Sequence, residues 1–218
     1  MVYAVNTLKS EIRVALDQNM TSTALSVIGD VDTLSLEDII ESKIADAARF
    51  VEANAPHELL GSGHTFGESL EWDSAPGYGS GHIVLPDDFL RLVCFQMSDW
   101  SYAVTDAITE DSPQYAMQRS RFPGIRGCPQ KPVVAITTQP IGLVLEFYSC
   151  MSGANASVKR ASYIPIPSVE EGDVELCEKL KPSIVYYAAY LTALSIGNSD
   201  LAQSMLKISG ELGGFAVS

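Results

Sequence analysis

The stretch PSIVYYAAYLTALSIGNSDLAQSMLKISGEL, from Pro182 to Leu212, reads as two amphipathic helices joined at Gly197-Asn198. In the first, Ile184, Ala188, Leu191 and Ser195 fall on one helical stripe, with Tyr187 and Leu194 beside it. In the second, Leu201, Met205, Ile208 and Leu212 recur at the i, i+4, i+7, i+11 spacing of an apolar face. Gly197 supplies a left-handed stop, Asn198 or Ser199 caps the next helix, and Gly213-Gly214 ends it. An αα-hairpin of this kind needs a third helix to cover its apolar stripes.

The best candidate for that helix lies toward the other end of the chain. Ser35 as N-cap with Asp38 three residues on is a weaker form of the capping box. It opens a helix to about Asn54 whose inner face is Ile40, Ile44, Ala47, Ala48 and Val51, and Pro56 stops it. An earlier helix is predicted from Thr7 to about Asp17 on Leu8, Ile12, Ala15 and Leu16. A short apolar stretch from Ala24 to Ile28 leads to Gly29-Asp30.

Between the helical ends the periodicity changes. Residues 57–81 carry Gly61, Gly63, Gly67, Gly77, Gly79 and Gly81 together with His57, His64 and Trp72, the composition of a long irregular loop. Strands are predicted at His82–Leu85 and at Phe89–Met97, the latter apolar enough to be covered on both faces. Val133–Thr138 and Leu143–Tyr148 form a hairpin about Gln139-Pro140-Ile141-Gly142, a type I turn. Ser157–Pro167 is predicted as an edge strand, and Asp173 as the cap of a helix with Glu175 at its start and Lys179 and Lys181 at its end. The expectation is an α+β fold. A helical bundle from residues 1–56 and 168–218 carries a β-rich insertion at 57–167, which includes the Gly-rich loop 57–81.

Composition narrows the function. A chain of 218 residues, 46% hydrophobic and 19% charged, buries a real core and is not disordered. No apolar run approaches the roughly 20 residues that cross a bilayer. The first turns hold Lys9, Glu11, Arg13 and Asp17, unlike a signal peptide, so an intracellular product is expected. A formal net charge of −13 disfavours tight DNA binding, which relies on Lys and Arg displacing counterions. The same charge suits a surface past which DNA slides. Cys94, Cys128, Cys150 and Cys177 have no CxxC spacing and read as free thiols.

Catalytic signatures are weak. His57, His64 and His82 lie near Glu58, Glu68, Glu71 and Asp73, but no HExxH or tight HxH spacing is present. Gly61-Ser62-Gly63-His64-Thr65-Phe66-Gly67 has one residue too many for a dinucleotide fingerprint and no Lys-Ser/Thr after it. There is no GxSxG. No catalytic residue, metal ligand or cofactor is therefore expected. Interface candidates are Trp72, Tyr78 and His82, together with Arg119, Arg121 and Arg126 around the turn at Pro123-Gly124. The arginines suit a phosphate or the acidic surface of a neighbouring copy.

Three phrases carry a family resemblance. They are Leu85-Pro86-Asp87-Asp88-Phe89-Leu90-Arg91-Leu92, the run Leu143 to Tyr148, and the closing run from Ala188 to Ala202. In their order and spacing they resemble the head-to-tail adaptor ring proteins of short-tailed bacteriophages, including crAss-like phages of gut Bacteroides and the tail-tubular-protein-A type. The resemblance implies a non-enzymatic virion protein forming a dodecameric ring beneath the portal protein. Such a ring extends the DNA channel and joins the next tail component. It uses two different patches on each subunit, closing by rotation. Two rivals remain. One is a β-rich module holding a glycan or other ligand through Trp72, Tyr78 and the histidines. The other is a metal-assisted hydrolase using His57, His64 and His82.

Overall fold

The computed structural model describes residues 1–16, 35–73, 79–120, 122, 125–148, 150–151 and 155–216. The apolar stretch 24–28 and its Gly29-Asp30 lie outside them. The fold is α+β, and the chain divides into two compact units, Met1–Gly61 with Ile166–Ser218, and Ser62–Pro165.

The first unit opens with strand β1 (Val2–Ala4) and helix α1 (Val5–Ala15), which begins two residues before the predicted Thr7. Helix α2 (Leu36–Asn54) starts with a complete capping box: Ser35 Oγ accepts from the Asp38 backbone, and the Asp38 carboxylate accepts from the Ser35 N–H at 3.0 Å. All five residues of its predicted inner face are buried. Helices α4 (Lys181–Ser195) and α5 (Ser199–Gly213) follow, with α3 (Pro113–Met117) lying in the other unit. Asn198 caps α5 through its side chain, and Gly214 closes it at φ 67°.

The buried faces of α4 and α5 differ from the predicted stripes. Helix α4 packs against α1, α2 and α5 at once, so it is buried nearly all round, through Ser183, Ile184, Tyr187, Ala188, Thr192 and Ala193, whereas Leu194 and Ser195 are exposed. A helix enclosed on every side has no single apolar stripe to read. On α5 the buried line is Ala202, Met205, Ser209, Gly210 and Gly213, and Leu212 is exposed. Small residues win that face because they let two helix backbones approach closely. There Ser183 Oγ donates to the Ser209 carbonyl at 2.8 Å, and Ser209 Oγ donates to the Ser183 carbonyl at 2.9 Å.

The helix predicted from Asp173 is instead strand β11 (Asp173–Glu175), paired with β1 and with β10 (Val169–Glu170). The two-residue loop between them, Glu171 at φ 52° and Gly172 at φ 88°, has the two positive φ values of a tight hairpin turn. Val174 is buried at its centre. Charge placement favoured a helix there, and strand pairing overrode it.

The second unit holds two sheets. Strands β2 (His64–Thr65), β9 (Val158–Pro165) and β5 (Phe89–Met97) form one, in the order β2-β9-β5. Strand β9 is thus central, not an edge, because β2 arises within the stretch predicted as a loop. The second sheet runs β3 (Leu70–Trp72), β4 (Gly81–Val84), β8 (Gly142–Phe147), β7 (Val134–Gln139) and β6 (Ile108–Thr109), antiparallel except for β6 on β7. Its β7–β8 hairpin turns at Pro140-Ile141, with Gln139 opposite Gly142. The core between the sheets is aromatic. Phe95 of β5 meets Phe147 of β8 at 5.9 Å, and Trp100 meets Phe95 edge-on at 5.6 Å. Segment 57–81 therefore contributes two strands.

Candidate functional site

Period-two alternation on β8 sends Leu145 and Phe147 into the core and turns Glu146 to the opposite face of the sheet. Register then sets Glu71, His82, Glu146 and Ala135 side by side across four strands. A charged row thus crosses a sheet whose other face is apolar. Helix α3 (Pro113–Met117), capped by Ser112, supplies Tyr115 to this row.

Glu146 is the hub. Its Oε1 accepts from Thr137 Oγ1 and from Gln139 Nε2, each at 3.1 Å. Its Oε2 accepts from the Tyr115 hydroxyl at 3.1 Å and from the Tyr148 hydroxyl. Four neutral donors match the four lone-pair directions of a carboxylate. Burial first, then the Glu146 carboxylate, pushes the Tyr148 and Tyr115 hydroxyls up from their ordinary values, so both phenols stay protonated donors.

The walls are basic and amide groups. The Arg119 guanidinium lies over the Tyr115 ring, 5.7 Å from its centroid. Gln118 Nε2 donates to the Gln114 carbonyl at 3.0 Å, and its Oε1 accepts from the Gly127 N–H at 2.8 Å, which fixes the backbone beside Arg126. Opposite, His82 Nε2 lies 3.5 Å from Glu71 and its Nδ1 3.7 Å from Asp73, while Ser80 Oγ donates to Asp73 at 2.7 Å. Gly81 admits no side chain, since a Cβ there would stand 2.3 Å from the Glu71 carbonyl oxygen and 2.6 Å from the Phe147 ring. Together these groups enclose a cavity of about 350 Å³.

This cavity unites His82, Arg119 and Arg126, three of the interface residues read from sequence. Tyr78 and Arg121 lie outside the described residues. Trp72 lies elsewhere: its ring is set edge-on against Phe147 at 5.2 Å and packs on the core. His64 sits on β2, edge-on to Tyr163 at 5.9 Å, and His57 is in a 3-10 turn of the first unit. Among the described residues no group of three or more His, Cys, Asp or Glu is disposed to hold a metal ion. The buried thiols are poor nucleophiles: burial, ahead of neighbouring carboxylates, pushes Cys150 up to about 12 and Cys177 up to about 11. Sequence reasoning missed Glu146, Tyr115, Gln139 and Tyr148. The available signal was the lone carboxylate inside the apolar run Leu143–Tyr148.

No helix among the described residues is long and apolar enough to cross a membrane. No protein-family model matches the chain, and no curated protein matches it either.

Proposed function

We propose that this chain is a structural virion protein, a subunit of the ring between portal and tail of a short-tailed bacteriophage. The observation that carries the reading is the packing of α4 against α1, α2 and α5, which draws helices from both ends of the chain onto one element. The described residues of Ser62–Pro165 meanwhile carry two sheets. A helical bundle from both termini with a β-rich insertion is the arrangement that the family resemblance implies. The bundle supplies rigidity, and the insertion supplies patches for neighbouring copies in a ring, of dodecameric order by the same resemblance.

On this reading the partners are further copies of the chain, the portal protein and a downstream tail component. The genome passes through the lumen during ejection without specific binding, and a net charge of −13 keeps the phosphate backbone from adhering. Neither enzymatic activity nor a cofactor has a part in it. The protein is made in the host cytoplasm and ends at the head-to-tail junction.

The test is gold-labelled antibody against this chain on purified virions, viewed by electron microscopy. Label at the collar is the expected result. Virions that carry no label there, or label only on fibres or capsid, overturn the assignment.

A further inference from the structure

Ligand cavities commonly have mostly apolar walls with a few polar groups placed to orient the ligand. The cavity beside Gln118 and Arg119 is more polar than this: of its ten lining residues every one except Gly81 carries a hydrogen-bonding side chain, and about half of its wall surface is polar. A ligand held there meets polar groups and apolar surface in about equal measure. Its charges also balance, with Arg119 and Arg126 set against Asp73 and Glu146. A multiply charged anion would gain from the guanidiniums and lose to the carboxylates.

The internal hydrogen bonds show which groups remain for a ligand. Glu146 already accepts four neutral donors, so it acts as an anchor that orders Tyr115, Tyr148, Gln139 and Thr137. With its O–H donated to Glu146 in a hydrogen bond, the Tyr148 oxygen keeps lone pairs as an acceptor. The Gln139 amide, whose nitrogen is engaged, keeps its carbonyl oxygen. Arg119 offers a planar fork of donors, whereas both ring nitrogens of His82 face carboxylates, Glu71 and Asp73. A ligand facing both fixed donors and fixed acceptors is answered best by hydroxyl groups, which do both, and neighbouring hydroxyls on a sugar ring span a guanidinium fork.

We infer that this cavity binds a neutral saccharide unit, with Arg119, Gln139 and Tyr148 as its hydroxyl-reading groups. The site differs from the Trp72 and Tyr78 surface expected from sequence, and it goes beyond the ring reading, standing or falling independently of it. The ordered hub lowers the entropic cost of binding, but displaced water offsets much of the gain, so affinity is in the millimolar range.

The experiment is NMR titration of the full ¹⁵N-labelled chain with D-glucose, D-galactose and N-acetyl-D-glucosamine, and separately with inorganic phosphate. The expected result is saturable shifts at the amides of His82, Arg119 and Tyr148 with at least one sugar and none with phosphate. Arg119→Ala and Gln139→Met should each weaken that sugar about tenfold, the loss typical of a hydrogen bond to a charged or fixed polar group. Using both variants keeps the test decisive if Arg119→Ala loosens Tyr115. Saturation by none of the sugars, saturation by phosphate alone, or unchanged sugar affinity in both variants overturns the proposal.

Discussion

In the helical unit the α4–α5 crossing is lined largely by small side chains within an aliphatic core, whereas the sheet unit packs on rings. Around α4 the small side chains Ser183, Ala188, Ala189, Thr192 and Ala193 sit beside the larger Ile184, Val185 and Tyr187, and the crossing with α5 is closed by two reciprocal serine hydrogen bonds. Between the two sheets the contacts are Phe95, Phe147, Trp100 and their neighbours. Small residues bring backbones close and leave no room for change. Rings bury much area across a wider gap, and that frees the far face of the five-stranded sheet to carry charge.

Substitutions test this contrast, and the largest effect is expected in the sheet unit. Phe147→Ala removes a fully buried ring shared by Trp72 and Phe95, and should lower unfolding free energy by about 3–5 kcal/mol in urea titrations. A loss below about 1 kcal/mol would mean that the rings are not what joins the sheets. In the helical unit enlargement is the damaging change: Ala188→Leu should cost about 1–3 kcal/mol by overpacking α4. A neutral result would refute close approach as the basis of that packing.

Local capping comes next. Ser35→Ala removes the side-chain acceptor of the α2 capping box and should cost about 1 kcal/mol, read from the same titration. An unaltered midpoint would show that tertiary packing alone sets the start of α2.

The smallest signal is a pH slope. Glu52 on α2 is buried and accepts from the Cys177 N–H at 2.7 Å. Burial, opposed by that hydrogen bond, raises its carboxyl above the ordinary value of 4.5. The folded chain thus holds a proton that the unfolded chain releases. The resulting stability is fully present below the unfolded value and is lost as pH rises through the raised one. Glu52→Gln keeps the acceptor and removes the titration, so its stability should vary less between about pH 5 and 8 than that of the parent chain. Parallel curves for the two proteins would rule Glu52 out as the source.

Much of the fold was legible wherever a local rule and the tertiary context agreed. The capping box at Ser35, the Asn198 cap, the αL close at Gly214 and the β7–β8 hairpin each depend on a few adjacent residues. Reading failed where distant partners chose among local options. Asp173–Glu175 had helical charge placement but became a strand between β1 and β10, and β9 became central because β2 formed beside it. The candidate cavity was legible only as scattered members, His82 and the arginines. Glu146 gave a faint signal and Gln139 none, because a side chain on one strand gains its role from what register sets opposite it.

By itself, then, the sequence determined the α+β class, the helix caps, the tight turns and the acidic charge, since propensity, capping and composition act over a few residues or over the whole chain at once. Tertiary structure alone decided which face of α4 and α5 is buried, which strand is central, and that one carboxylate orders four donors at a polar cavity. Those outcomes depend on contacts between residues far apart in the chain, whose energies no local pattern encodes.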